Sequence, residues 1–244
     1  MGRSANAIAL PTKMPKMPRV NIIIPIKNRP KLAEQTIRSL YENTLKEDFN
    51  LFIYLDGANE ETYQAVRSLE FNFNLWSQTN SMGPGWCRNA ICDILTDNEQ
   101  RAHFLYHSDS DVYFLPGWLD ALIKAYETFP QVKLFGAGCH PYLHTNLVFE
   151  KDGLVVHTKD AIPCFTAFMD WGTWDKYGPY DEHKGIMGSE DWAFCQRIVK
   201  YGFYVASLWP ELVIHCGKTN SDGNPATGHE LIKEIPGHPE IKIL

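Results

Sequence analysis

Two aspartates one residue apart, Asp109 and Asp111 in His107-Ser-Asp-Ser-Asp-Val112, follow a stretch, Arg101–Tyr106, whose alternation reads as a strand. Side chains two positions apart on an extended backbone point to the same side. The pair can therefore converge on one point, and converging carboxylates suit a hard divalent cation. His215 closes a short apolar run, Leu212-Val-Ile-His215. A neutral imidazole beside two carboxylates tilts the choice between magnesium and manganese toward manganese. Arg88 follows Gly83-Pro-Gly85 at a helix start, where a guanidinium and a helix N-terminus together favour a diphosphate. Asp56 ends a second apolar run, and Glu190-Asp191 opens a helix. Each feature also has a plain reading: turn aspartates, a surface arginine, a packed histidine, acidic residues that suit the helix dipole. Their order along the chain separates the two readings.

These residues need a scaffold, and the hydrophobic pattern supplies one. Val20–Ile26 is a short apolar run of the kind found in buried parallel strands. A helix over 31–44 follows Pro30, then a strand to Asp56, a helix over 59–69 and a strand over 71–77. A further helix over 86–96 precedes the strand that carries the aspartates. This alternation predicts βαβ units and a Rossmann-like, mostly parallel sheet flanked by helices. Beyond Asp111 the pattern predicts a helix over 116–129, a strand over 131–137 and a hairpin around Asp152-Gly153. A helix over 188–201 is stopped by Gly202, and short strands cover 203–207 and 212–215. Residues 161–185 are crowded with aromatics and show no clean period. The expected organisation is an arm over 1–18, one domain over 19–216, and a loop or lid with a tail over 217–244. Within the domain, 19–112 and 113–216 form two halves of different texture.

A chain of 244 residues with 44% hydrophobic and 21% charged residues can bury one large core. Its net charge of −6 provides no general attraction for nucleic acid or anionic lipid. No apolar run nears the ~20 residues that span a bilayer, and no signal-peptide pattern opens the chain. The cysteines at 87, 92, 139, 164, 195 and 216 form neither a CxxC pair nor a zinc spacing. Reduced thiols in a cytoplasmic protein are the expectation.

Five segments, in order, resemble the glycosyltransferase A-type fold, in particular the family-2-like nucleotide-sugar transferases. They are Ile22–Arg29, Tyr54-Leu-Asp-Gly57, Gly85-Trp-Cys-Arg-Asn-Ala90, Asp109-Ser-Asp111, and Gly178–Glu182 followed by Gly188-Ser-Glu-Asp-Trp192. The resemblance implies that Pro25, Lys27, Asn28, Asp56, Arg88 and Asp109 surround the nucleotide, with Asp56 accepting from uracil N3–H. It implies a manganese or magnesium ion on Asp109, Asp111 and His215, and a UDP-sugar donor. Asp191 becomes the general base of an inverting transfer to a hydroxyl, and Glu190 positions the acceptor or sugar. The resemblance gives 19–112 to the nucleotide and 113–216 to the acceptor, with Trp192 as a stacking face. The acceptor class stays open among glycan, protein, small molecule and modified nucleic-acid base. A sugar-1-phosphate nucleotidyltransferase would need a glycine-rich loop after the first strand, where Lys27-Asn-Arg-Pro30 stands. A non-catalytic nucleotide- or carbohydrate-binding domain is the other alternative, and Glu190-Asp191 argues against it.

Overall fold

The structure is a computed structural model that describes residues 17–139, 143–182 and 189–217. Most of the expected N-terminal arm, the segment after Gly217, and Gly188 of the acidic motif lie outside the described residues.

Strands β1 (Val20–Ile26), β2 (Phe49–Asp56), β3 (Asn74–Gln78) and β4 (Phe104–Ser108) form the first half of a nine-stranded sheet. Its order is β3-β2-β1-β4-β9-β6-β10-β8-β7. Here β6 is Val132–Gly136, β7 Thr145–Lys151, β8 Leu154–Lys159, β9 Thr166–Asp170 and β10 Tyr204–Trp209. The first four strands pair in parallel, as expected. The second half is mixed: β9 enters antiparallel between β4 and β6, and β8 and β7 close the edge antiparallel.

All seven residues of β1 are buried, because helices cover both of its faces. Ile22, Ile24 and Ile26 share a core with Ile37 and Leu40 of α1 (Pro30–Glu42) and with Trp118 of α4 (Trp118–Thr128). Ile23 faces the other way, into a core with Ile91 and Leu95 of α3 (Pro84–Asp97). Each such side chain contributes about 1.5–3 kcal/mol on burial. Helix α2 (Glu60–Arg67) is capped by Asn59, which accepts from Thr62 N–H at 2.9 Å. Pro30 and Pro84 occupy first-turn positions of their helices, where the missing N–H costs nothing.

The aromatic stretch that lacked a period holds β9 and a seven-residue helix, α5 (Trp171–Tyr177). Four of the five β9 residues are buried, so the polar half of an alternation is missing. The last helix, α6 (Ser189–Lys200), lies beside β10. A second, two-stranded sheet pairs β5 (Val112–Phe114) antiparallel with β11 (Val213–His215). Helix α1 pins β5: Thr36 Oγ1 donates to Val112 C=O at 2.8 Å, and Phe114 N–H donates to Ser39 Oγ at 3.2 Å.

Candidate active site

In the order 3-2-1-4 the direction of strand addition reverses between β1 and β4. Ligands of open α/β sheets bind beyond the carboxyl ends of the strands at such a point. The β1/β4 ladder ends at Ile23 and His107, so the chains diverge beyond it. Arg29 leaves from β1, and Asp109 and Asp111 leave from β4. Pro25 falls in the diverging stretch, opposite Tyr54 and buried. Its missing N–H therefore breaks no bond to β4. Proline here ends the ladder and opens the crevice.

Asp109 and Asp111 sit in the bend between β4 and β5, not on a continuous strand. The β5–β11 pairing brings His215 to them: His215 stands opposite Val112, and Cys216 N–H donates to Asp111 C=O at 2.7 Å. One ligand atom from each of Asp109, Asp111 and His215 lies within 4.8 Å of the others. Asp109 is 38% exposed at its side chain and Asp111 only 5%. Arg29 Nη1 meets Asp111 Oδ2 at 2.8 Å, and His215 Nε2 lies 3.4 Å from the same oxygen. Burial works to raise the Asp111 carboxyl, but His215 and then Arg29 outweigh it and hold it well below the ordinary range. For His215, burial works downward and Asp111 outweighs it, so the imidazole is raised. Asp111 Oδ1 is buried with no hydrogen-bond partner among the described residues. Gly217 completes the corner: a Cβ there would lie 2.0 Å from Asp111 Oδ2.

Two carboxylates and an imidazole are a donor set suited to manganese or magnesium. A buried carboxylate oxygen left without a donor is costly in a chain by itself, and a cation would satisfy it. On both grounds the residues fit a divalent metal.

Arg88 is completely buried. Its Nη2 donates to Asp109 Oδ1 at 2.5 Å and to Ser108 C=O at 3.2 Å. In this conformation it holds Asp109 from beneath and presents no open guanidinium to a diphosphate. Its neighbour Asn89 joins α3 to the later half. The Asn89 side chain donates to Tyr180 C=O and Glu182 Oε1 at 3.0 and 2.7 Å, and accepts from Tyr180 N–H at 3.0 Å. Buried His107 is linked to Tyr180 Oη at 2.8 Å. Arg-Asn is thus a joint between the two halves, a role for Asn89 that its sequence position did not reveal.

Asp56 is also buried, at the end of β2, and its oxygens are fully used. Gln78 Nε2 and Met82 N–H donate to Oδ1 at 2.8 and 2.7 Å; Ser81 Oγ and Gly83 N–H donate to Oδ2 at 2.8 and 2.9 Å. Burial raises its carboxyl, but these bonds outweigh burial and lower it. Asp56 therefore holds the 78–83 loop at the end of β2. Gly57, at φ 62°, fits beneath that loop, since a Cβ would lie 2.7 Å from Ser81 N. Asn28 Oδ1 accepts from Asn59 N–H at 3.3 Å, and Lys27 lies half-buried at the end of β1.

Glu190 and Asp191 open α6. Glu190 passes over the N-terminus of α3, where a Cβ on Gly85 would lie 3.6 Å from its Cγ. Burial, then Glu190 and Asp109, push the Asp191 carboxyl up to about 7 against the opposing pull of Trp192 N–H and Arg88. Trp192 is 48% exposed beside it. The structure also places Arg29, the last residue of the first motif segment, on Asp111. A left-handed residue after a strand leaves no mark in composition.

Among the described residues, no helix is long and apolar enough to cross a membrane. The mixed α/β sheet flanked by helices is that of the glycosyltransferase A-type fold. Residues 21–137 match the family model for glycosyl transferase family 2, and the fold is the one shared by the solved glycosyltransferase structures to which the chain is similar. No curated protein sequence matches it. Among solved structures it is similar to a mannosyltransferase of Pyrobaculum calidifontis, PcManGT, in complex with GDP-Man and Mn2+. The TM-score is 0.55 at 16% identity, over 78% of this chain and 56% of that one. It is also similar to GalNAc-T7 with UDP, GalNAc and Mn2+, with a TM-score of 0.62 at 12% identity, over 82% of this chain and 44% of that one. The chain thus spans about half the length of these two structures.

Proposed function

We propose that the protein transfers a sugar from a nucleotide donor, a UDP-sugar, to a hydroxyl acceptor with inversion at the sugar carbon. The observation that carries this reading is the Asp109–Asp111–His215 cluster with its unpartnered Asp111 oxygen at the sheet's switch point. When bound there, a manganese or magnesium ion supplies Lewis-acid neutralisation of the diphosphate as the glycosidic bond breaks. Asp109, Asp111 and His215 would hold it. Arg88 fixes Asp109, and Asp56 sets the 78–83 loop against which the base would lie.

Asp191 removes the acceptor hydroxyl's proton. A general base works best with a value near the operating pH, and burial beside Glu190 and Asp109 produces one near 7 in the metal-free chain. A cation nearby would lower it, which keeps the base ionised when the site is loaded. Glu190 positions the acceptor or sugar, and exposed Trp192 offers an apolar face for a sugar ring.

Thermal unfolding with a panel of UDP- and GDP-linked sugars, with manganese or with EDTA, tests the reading. A UDP-sugar at a hundredfold excess over its Kd should stabilise by about 2.7 kcal/mol with manganese and much less with EDTA. Release of UDP should require the same metal. No stabilisation by any nucleotide sugar in manganese would overturn the proposal, and a preference for the guanosine donors would reassign the base.

A further inference from the structure

Arg29 is the residue of the metal corner that the catalytic reading does not use. It takes the left-handed backbone conformation, φ 66°, which residues other than glycine adopt rarely. The contact this secures is Nη1 on Asp111 Oδ2 at 2.8 Å, with the arginine side chain only 21% exposed. Asp111 therefore has one oxygen carrying a guanidinium and the other without a donor among the described residues. The pocket is tight around this pair, since a Cβ on Gly217 would lie 3.1 Å from Nη1. A permanent positive charge already occupies the ground that a divalent cation must share. Like charges this close repel, and little water or salt screens them at so buried a carboxylate.

We infer that Arg29 is a built-in competitor for the divalent cation, holding Asp111 until a nucleoside diphosphate draws the guanidinium away. The inference rests on the metal reading above. Arginine is matched to phosphate oxygens, so a diphosphate gives Arg29 a second place to bind. Metal alone then binds weakly, and metal with nucleotide binds tightly. The coupling is reciprocal: each ligand strengthens the other by the same factor. A clamp that merely orients Asp111 for the metal predicts the opposite sign when it is removed.

The test measures manganese binding to the full chain by calorimetry and by the loss of the free Mn2+ EPR signal, with and without UDP. Arg29→Asn removes the charge and tolerates the left-handed backbone; Arg29→Lys keeps a charge. Circular dichroism melts confirm that both variants fold. In the absence of UDP, Arg29→Asn should bind manganese about tenfold more tightly than the wild type or more, with Arg29→Lys close to wild type. The strengthening of manganese binding by UDP should shrink in Arg29→Asn. Equal or weaker manganese binding by Arg29→Asn overturns the inference and leaves the metal site standing. Absence of manganese binding in every form, with UDP present, removes the metal reading and the inference with it.

Discussion

Two buried aspartates stand on the same rim of the sheet, and they differ in one respect. Asp56 receives four hydrogen bonds from the 78–83 segment of its own chain, two on each oxygen. Asp111 shares one oxygen between Arg29 and His215 and has no donor for the other among the described residues. Both carboxyls are held below their ordinary value, one by neutral donors and one chiefly by charges. A carboxylate satisfied by its own chain, through side-chain and backbone donors alike, is part of the fold. One left partly unsatisfied among charges is, on the proposed reading, a receptor for a cation.

Replacing the receptor should cost function, and replacing the anchor should cost stability. Asp111→Asn should lower metal-dependent transfer by about 10³-fold or more, since metal catalysis supplies several kcal/mol. Its melting temperature should lose its response to manganese. A variant with near-native turnover would erase the distinction between the two aspartates.

Asp191→Asn comes next, with a loss of about 10²-fold or more in kcat for removal of a general base. The folded carboxyl is raised from 3.8 to about 7, so its ionisation costs stability as pH climbs between those values. At pH 8 the asparagine variant should therefore be more stable, by about 1–2 kcal/mol after discount for its partial exposure, as read by urea unfolding. In the wild type, turnover should rise with pH along a limb at or below pH 7, because the base must be ionised and the bound cation lowers its value. A flat profile over pH 5–8 would remove Asp191 from the proton transfer.

Gly217→Ala places a Cβ 2.0 Å from Asp111 Oδ2. It should weaken manganese binding about tenfold, the scale of a disturbed outer shell, measured by titration. Asp56→Asn should leave manganese affinity within about twofold, yet cost roughly 2–3 kcal/mol in unfolding experiments. The amide brings donors to a place ringed by the N–H groups of Met82 and Gly83. If Asp56→Asn instead weakened metal binding as much as Gly217→Ala, the two corners would be one coupled site.

The first half of the fold was legible because β1, β2 and their helices have periods that helices and parallel strands impose. The second half was less so, since β9 is buried almost throughout and α5 is short. Among site residues, Asp109, Asp111 and His215 could be named from type and order, and the structure brings them together. Their surroundings could not be named. That Arg88 lies under Asp109, that Asp56 is spent on a loop, and that Arg29 touches Asp111 all depend on directions of side chains from distant segments. Thr36 and Ser39, which pin β5 to α1, looked like ordinary helix residues for the same reason.

The β11 strand carries a consequence for how this molecule is made. The third donor, His215, arrives some hundred residues after Asp109 and Asp111, on the last strand to leave the ribosome among those described. A nascent chain can lay down its first four strands while still lacking that imidazole and the Cys216 N–H that steadies Asp111. An ion that needs all three donors would then be withheld from half-made protein, and a loaded centre would certify that synthesis has run past His215.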